Sequence, residues 1–536
     1  MQREAILLVF FSLLLLSSLS LSHKFSNGSS PEDEEEEEEK VNEDAGVIRR
    51  SMFPPDFIFG VSTSAYQIEG AYLEDGKGLS NWDVFTHVPG NTPNGENGDI
   101  ADDHYHRYME DIENMHKLGV DAYRFSIAWS RILPKGQFGE VNPSGIEFYN
   151  NVIDNLLLKG IEPYVTIQHY DVPQELEDRY GGWLSPQIQE DFVYYANICF
   201  KEFGDRVKNW ITINEPNLIS LMGYILGWFP PARCSPPFGN CSAGNSDIEP
   251  LIVVHNMLLS HAKAVHLYRK QYLAEQGGRI GVTVGPFHYE PYRDNGFSYQ
   301  AVDRAYAFNF GWILDPLVYG DYPSQMREYL GSNLPKFSPG EMKLVKGSVD
   351  FLGINHFSTV YAIDCLHYST NCSSCRHHHA VLGMVCTSGY RDGVPIGGET
   401  GNDKFFVVPY GIEKAMEHMQ LRYPDITIYV TENGYSPKGE DGLLDFERVK
   451  YHEAYLAALA EAIRKGANVK GYFVWSLIDN FEWTAGYSVT YGLYYVNRTT
   501  LERTPKLSAM WYADFLANKK VRKWGKIHYP QSISTL

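Results

Sequence analysis

The feature that most constrains the fold is an alternation between apolar stretches of strand length and amphipathic stretches of helix length. It starts near residue 51 and is repeated eight times along the 536 residues. Eight parallel strands joined by helices predict an α/β protein whose sheet closes into a single (β/α)8 TIM barrel, with long loops at the C-terminal mouth. The predicted strands are residues 57–62, 122–129, 162–168, 207–214, 279–287, 350–357, 427–432 and 469–477.

One domain, residues 51–520, therefore holds most of the chain, and residues 521–536 form a C-terminal tail. An open, doubly wound sheet is the alternative, but no Gly-rich phosphate loop follows any of the strands. Amphipathic patterns predict helices that include residues 104–118, 144–159 and 445–464. Residues 365–403, rich in Cys, His and Gly, are predicted to be a long loop over the barrel mouth.

The N-terminal region has the pattern of a targeting sequence. Arg3 precedes a short apolar run, and residues 1–22 are predicted to be a secretory signal peptide, with an uncleaved signal anchor as the alternative. Residues 23–50 contain a run of acidic residues and are predicted to be disordered. The C-terminal Ser-Ile-Ser-Thr-Leu is not a retention signal, so we expect secretion or vacuolar delivery.

The charge balance excludes several classes of partner. The chain has 46 Lys and Arg against 66 Asp and Glu, a net charge of −20, which argues against nucleic acid and anionic membranes. No later apolar stretch is long enough to span a membrane. Ten Trp and 37 Tyr favour a small-molecule ligand with flat apolar faces, such as a sugar. The sequence leaves open whether the chain forms a homo-oligomer.

Seven cysteines are too few for a disulfide scaffold. Cys234 and Cys241 flank a Pro/Gly loop and are predicted to form a local bridge, whereas Cys199 is predicted to be a buried thiol. One or two further disulfide bridges are expected among Cys365, Cys372, Cys375 and Cys386, and the sequence does not determine which of these pair. A zinc site in residues 372–379 is the less favoured alternative. In a secreted protein, four sequons are acceptors for N-glycosylation: Asn27, Asn240, Asn371 and Asn497.

Two predicted strands end in a carboxylate. The fourth reads Thr-Ile-Asn214-Glu215-Pro and the seventh reads Val-Thr-Glu432-Asn-Gly. Because the C-terminal ends of barrel strands meet at one mouth, Glu215 and Glu432 are expected to face each other across a pocket. Two carboxylates across a sugar-sized cleft can carry out glycoside hydrolysis. Arg124, on the second strand, could lie beside one of them and keep it ionised, as a nucleophile requires.

These two motifs resemble the catalytic motifs of glycoside hydrolase family 1, and the overall pattern is similar to the plant β-glucosidases of that family. The resemblance covers about residues 53–519 and includes Phe-Ile-Phe-Gly-Val-Ser-Thr-Ser-Ala-Tyr-Gln-Ile-Glu-Gly near the start. It implies a retaining mechanism, with Glu215 as acid/base and Glu432 as nucleophile. It implies a β-glucoside substrate, and O-glycosides rather than thioglycosides. No metal or organic cofactor is expected, because the carboxylate pair can perform all the steps. For a plant protein, the predicted signal peptide corresponds to delivery to the cell wall or apoplast, with the vacuole as the alternative. The implied sugar-binding residues are Gln67, His169, Asn214, Trp475, Glu482 and Trp483.

The sequence departs from the family pattern at several positions. Tyr170 replaces the tryptophan of His-Trp-Asp, and Asn355-His-Phe357 replaces Asn-Tyr-Tyr, in which a tyrosine contacts the nucleophile. The resemblance also implies that Asn355, like Arg124, lies in the environment of the nucleophile. The positions expected to contact the aglycone are changed: Lys404, Phe405, Thr484 and Thr490-Tyr491. We expect Lys404 to be a solvated loop charge and Phe405 to be a wall for an aromatic aglycone.

This combination is similar to the plant subgroup that hydrolyses phenolic or monolignol glucosides such as coniferin. Two other functions stay open on the same scaffold. One is a transglucosidase, in which an acceptor alcohol outcompetes water, and the other is a catalytically silent carbohydrate-binding protein.

Overall fold

The computed structural model describes residues 48–367, 380–439 and 442–518. Eight strands, each parallel to its two neighbours, close into a barrel in the order of the chain, which confirms the predicted fold class. The strands are β1 (Ile58–Ser62), β2 (Ala122–Ser126), β3 (Glu162–Gln168), β4 (Asn209–Asn214), β5 (Arg279–Val284), β6 (Phe351–Asn355), β7 (Thr427–Asn433) and β8 (Val469–Trp475).

The barrel interior changes from apolar to polar along the strand direction. Near the N-terminal ends, seven strands contribute one side chain each to an apolar layer: Ile58, Ala122, Tyr164, Ile211, Phe351, Tyr429 and Phe473. Near the C-terminal ends, buried polar side chains replace them, including Arg124, Asn214 and Asn355. The apolar layer closes one end of the barrel, so polar groups and ligands can meet only at the other.

Helices surround the barrel and pack on its outer face. The predicted helix over residues 104–118 matches the observed one, and the other two predicted helices start and end within one residue of the observed bounds. The helices are His104–Leu118, Pro143–Leu158, Ile188–Phe203, Glu249–Gln271, Gly296–Tyr306, Trp312–Tyr319, Tyr410–Arg422, Phe446–Arg464 and Leu507–Leu516, with shorter ones at Ala65–Ile68, Asn81–Thr86, Trp129–Ile132, Gln174–Tyr180, Pro216–Ser220, Leu273–Gln276, Ser324–Leu330 and Pro339–Val345.

Six of the eight predicted strands extend past the observed bounds, and two of these run into a different element. Residues 279–287 are divided between β5 and a separate strand, Phe287–Pro291, that begins after Gly285-Pro286. Pro286 has no N–H to continue the ladder, and the chain leaves the barrel there. Phe287–Pro291 pairs with Ser358–Asp364, which pairs in turn with Val385–Ser388, to form a three-stranded sheet. The second predicted strand ends at Ser126 and is followed by the helix Trp129–Ile132.

The predicted loop over residues 365–403 has some regular structure. Besides Val385–Ser388 it contains the short strands Tyr390–Arg391, Val394–Pro395 and Gly398–Glu399, and the last pairs with Phe406–Val407. Cys365 and Cys386 are both disulfide-bonded. Cys372, Cys375 and the suggested zinc segment lie outside the described residues, as do the signal peptide, nearly all of the acidic segment and the C-terminal tail.

A further pair of strands, Tyr494–Val496 and Arg503–Pro505, forms a small antiparallel sheet. Cys199 is a buried free thiol. Within the described parts of the chain, no helix has both the length and the apolar character needed to cross a membrane.

Candidate active site

Glu215 and Glu432 lie together at the C-terminal mouth of the barrel. Glu215 directly follows β4 and has a left-handed backbone conformation with φ of 46°. Glu432 is near the end of β7. Each residue is only 4% exposed, and both line the same cavity. A non-glycine residue with positive φ is uncommon, and such conformations are often found at functional sites.

A hydrogen-bond network joins the two carboxyl groups. Arg124 donates from Nη1 to Oε1 of Glu432 at 2.5 Å and from Nη2 to Oδ1 of Asn214 at 2.6 Å. Asn355 donates from Nδ2 to Oε1 of Glu215 at 3.0 Å and to Oδ1 of Asn214 at 3.2 Å. The chain Arg124–Asn214–Asn355 therefore connects Glu432 to Glu215.

Tyr170 is a member of the site that the sequence analysis missed. Its hydroxyl donates a hydrogen bond to Oε2 of Glu215. The sequence marks this position only as an aromatic replacement beside His169. The signal that could have identified it was a phenol directly after the polar end of β3, at the same mouth as Glu215.

Burial has the largest effect on the pKa values of Glu215 and Glu432. It raises the pKa of Glu215, and the hydrogen bonds from Tyr170 and Asn355 oppose that increase. Burial also raises the pKa of Glu432, which Arg124 opposes and the nearby Glu215 reinforces. Two close carboxylates in a site of this kind resist simultaneous ionisation, and the proton they retain belongs to the pair.

Glu482 and Trp475 line one part of the cavity, and Gln67 is buried beside Glu482. Gln67, on the helix Ala65–Ile68, donates from Nε2 to Oε2 of Glu482 at 3.2 Å. Burial, together with the negative charges of the other two carboxylates, raises the pKa of Glu482 to about 8, and a hydrogen bond from Gln67 opposes this. An interaction with Trp475, the last residue of β8, also lowers the pKa of Glu482. A carboxyl and an amide side by side are suited to binding adjacent sugar hydroxyls.

His169 is a neutral, buried imidazole. Burial holds its pKa well below the usual range, and the charge of Arg124 lowers it further. The Asn214 amide oxygen accepts from Arg124 and Asn355, so its Nδ2 faces Nε2 of His169 at 3.1 Å and donates to it. His169 therefore carries its proton on Nδ1, which has no partner among the described residues. The ring stacks between Trp475 and Trp483, with centroids 6.0 and 5.9 Å away.

The cavity above these residues has a volume of about 460 Å³. Phe357 and Phe405 stack at 5.3 Å on one wall, beside Trp475 and Tyr491. The facing apolar residues are Leu218, Leu221, Met222, Leu226, Trp228 and Phe229, and Thr484 lies at the edge.

Lys404 is solvent-exposed, as expected, and it also contacts the cavity wall. Its ammonium lies 3.9 Å from the centre of the Trp228 ring, a cation–π contact, and the residue lines the cavity. Partial burial lowers the pKa of Lys404. The loop that carries Lys404 and Phe405 thus forms part of the cavity wall.

Outside the cavity, Cys234 and Cys241 form a disulfide bond. Asn240 is exposed beside this bridge and Asn497 is partly buried, whereas Asn27 and Asn371 lie outside the described residues. In the described parts of the chain, no group of three or more His, Cys, Asp or Glu side chains could hold a metal ion.

A barrel with two buried, linked carboxyl groups at the mouth of a sugar-sized cavity defines a glycoside hydrolase. The family model of glycosyl hydrolase family 1 matches residues 49–521. A rice protein (Oryza sativa subsp. japonica) named probable inactive β-glucosidase 14 is 53% identical over 483 residues, which are 89% of this chain and 93% of the relative. The coniferin β-glucosidase of Pinus contorta is 51% identical over 477 residues, 87% and 92% of the two chains.

Solved structures of β-glucosidases are also similar to this chain. A crystal structure of a rice β-glucosidase has a TM-score of 0.84 and 44% identity, and the match covers 87% of this chain and 99% of that one. A mutant of the rice enzyme in a covalent complex with glucose has the same TM-score and identity. The chain therefore belongs to glycosyl hydrolase family 1, and it is a glycosidase of the β-glucosidase type.

Proposed function

We propose that the protein is a retaining β-glucosidase that hydrolyses the O-β-glucosidic bond of small phenolic or monolignol glucosides through a covalent glucosyl-enzyme. In this mechanism Glu432 attacks the anomeric carbon while Glu215 protonates the leaving oxygen. Glu215 then removes a proton from the water that releases glucose.

The observation that carries this assignment is the unequal hydrogen bonding of the two carboxyl groups. Glu432 is bonded directly to the Arg124 guanidinium, whereas Glu215 is bonded to the neutral donors of Tyr170 and Asn355. A full positive charge favours the ionised form more strongly than a neutral donor does, so the shared proton resides on Glu215. Retaining enzymes need their carboxyl groups about 5–5.5 Å apart, and the hydrogen-bond chain through Arg124, Asn214 and Asn355 supports such proximity.

The sugar-binding roles follow from the chemistry of the pocket. Glu482 and Gln67 are placed to bind hydroxyls, and the free Nδ1–H of His169 can donate to another. Asn214 is held by Arg124 and Asn355 beside the carboxyl pair, where it can bind the sugar hydroxyl next to the anomeric carbon. Trp475 and Trp483 supply flat faces against the sugar ring.

The outer cavity supports an aromatic aglycone. Phe357, Phe405 and Trp228 present aromatic faces to the cavity, and flat phenolic groups stack on such surfaces. The similarity to a pine coniferin β-glucosidase points in the same direction. We further propose that the protein is secreted to the cell wall or apoplast, with the vacuole as the alternative, because of the signal-like N-terminal sequence.

A catalytically silent binding protein is the main alternative, because one relative is named probable inactive. Two features of this chain favour activity: both glutamates are present, and each has the hydrogen bonds that its role requires. Transglucosylation would use the same residues, with an alcohol in place of water. Product analysis in the presence of an added alcohol distinguishes the two reactions.

The test combines an activated aryl β-glucoside with two variants. We expect the wild type to turn the glucoside over and to be labelled covalently at Glu432 by a fluoro-glucoside. Glu432→Ala should lose turnover, and Glu215→Ala should be rescued by azide, with β-glucosyl azide as the product. A folded wild-type protein that shows neither turnover nor labelling would contradict the enzymatic proposal and leave the silent binding protein.

A further inference from the structure

We infer that Tyr170 is a positioning residue that sets the alkaline limit of the reaction through its hydrogen bond to Glu215. The inference rests on the proposed function, because it takes Glu215 as the acid/base. It goes further by making this phenol the group that sets the pH at which Glu215 loses its proton.

The protein holds Tyr170 firmly in this position. The residue follows β3 in a left-handed conformation with φ of 74°, and its carbonyl oxygen accepts a hydrogen bond from Nδ2 of Asn81 at 3.3 Å. Its ring packs on Trp483 and Phe229 with centroid distances of 4.9 and 5.8 Å. A non-glycine residue keeps a positive φ only where the surrounding structure stabilises that conformation. Here the surrounding contacts direct the Tyr170 hydroxyl towards Oε2 of Glu215.

The phenol can act only as a donor to this carboxylate. Burial raises the pKa of Tyr170 well above its usual range, and the negative charge of Glu215 raises it further, so the phenol keeps its proton. A hydrogen bond from a neutral donor stabilises an ionised carboxylate more than a protonated one. The bond therefore holds the pKa of Glu215 lower than burial alone would set it.

Among the described residues, no phenol donates a hydrogen bond to the opposite carboxylate. Phe357, on the cavity wall beside Trp475, has no hydroxyl, and Glu432 is bonded to Arg124 instead. The phenol thus acts directly on one member of the pair. Removing it should change the ionisation of the acid/base far more than that of the nucleophile.

The groups that face Glu215 must be considered together. Arg124 and Glu432 interact electrostatically with Glu215. The charge of Glu215 also raises the pKa of Glu482. His169 is neutral because of its burial. Tyr170→Phe removes a single hydroxyl and keeps the ring packing, so all of these charges stay in place and any change in the pH profile reports the lost hydrogen bond.

The test is the dependence of kcat/KM on pH for an aryl β-glucoside whose leaving group needs protonation. Activity falls at high pH as Glu215 loses its proton. Tyr170→Phe raises the pKa of Glu215, so the alkaline limb should move upward by about one pH unit, the effect of losing one hydrogen bond to a charged group. The acidic limb, which reports Glu432, should move much less.

Tyr224→Phe is the matched control. Tyr224 is equally buried, and its hydroxyl has no partner among the described residues. It lines a small void that Tyr170 also lines, so both variants remove a hydroxyl from the same region. This variant should keep the wild-type pH profile. An unmoved alkaline limb in Tyr170→Phe, or an equal shift in Tyr224→Phe, would overturn the inference.

Two further measurements separate this inference from the proposed function. In the Glu215→Ala background with azide, adding Tyr170→Phe should change turnover less than twofold, because the phenol has no carboxylate left to act on. A large additional loss there would show that Tyr170 acts elsewhere. The ionisation of Glu215 can also be followed without turnover, by infrared difference spectra against Glu215→Gln. If the enzyme proves inactive, the same upward shift in Tyr170→Phe would still support the contact, and its absence would refute it.

Discussion

Removal of Arg124 should move the acidic limb of the pH profile to higher pH. The Arg124 side chain is fully buried and lies 2.5 Å from Oε1 of Glu432, with exposures of 0% and 6% for the two side chains. The ion pair is therefore little screened by solvent. Burial raises the pKa of Glu432, and the charge of Arg124 opposes this increase. In Arg124→Met the opposing charge is gone, so the pKa of Glu432 should be higher than in the wild type.

The size of the shift follows from the contact. A hydrogen bond to a charged group contributes about 1.5–3 kcal/mol, and one pKa unit corresponds to about 1.4 kcal/mol. The acidic limb of kcat/KM should therefore rise by about 1–2 pH units. The sign is determined because the nucleophile acts in its ionised form, and a higher pKa delays ionisation as pH increases.

The assay uses a dinitrophenyl β-glucoside, whose leaving group departs without a proton, so that the profile reports the nucleophile. Arg304→Met serves as control, because Arg304 is also a buried arginine but pairs with Asp364 away from the carboxyl pair. Thermal unfolding checks that both variants are folded. An acidic limb within about 0.3 units of wild type, or an equal shift in Arg304→Met, would refute the reasoning.

Three further predictions concern the aglycone wall and stability. Phe405→Ala removes a ring stacked on Phe357, and it should raise KM for glucosides with large aromatic aglycones by about 2–10-fold, with little change for a methyl glucoside. Replacing Cys234 and Cys241 by Ser opens a loop with a sequence separation of 7, which should cost about 2.5 kcal/mol in urea unfolding, and a loss below about 0.5 kcal/mol would contradict this. Arg131→Met leaves buried Glu69 without its ion partner and should cost about 3–5 kcal/mol, part of which Glu69→Leu should restore in the double variant.

The fold could be predicted from the sequence because its signal is repeated. Each of the eight strand–helix units carries its own apolar pattern, so errors at single boundaries do not change the topology. The errors occurred where tertiary context decides. The mainly apolar pattern of residues 279–287 predicts one strand. In the structure, however, the chain leaves the barrel at Pro286 and starts a second sheet.

The site could be predicted as a set of residues but not as a network. Polar residues at the ends of strands marked Asn214, Glu215 and Glu432, because all strand ends of a barrel face one mouth. The contact between Tyr170 and Glu215 depends on a left-handed backbone turn and on the rings packed around it. The position of Lys404 over Trp228 depends on how two loops approach each other. Sequence patterns do not encode such distances between remote segments.

The sequence by itself determined the barrel, the pair of carboxylates and the residues around them, because periodicity and strand-end chemistry are local properties. Only the tertiary structure decided that Arg124 binds Glu432 while Tyr170 binds Glu215, and hence that the two carboxyl groups have different donors. The physical reason is that proton affinity in a buried site depends on interactions over a few ångströms. Those distances are set by the packing of residues that are far apart in the chain.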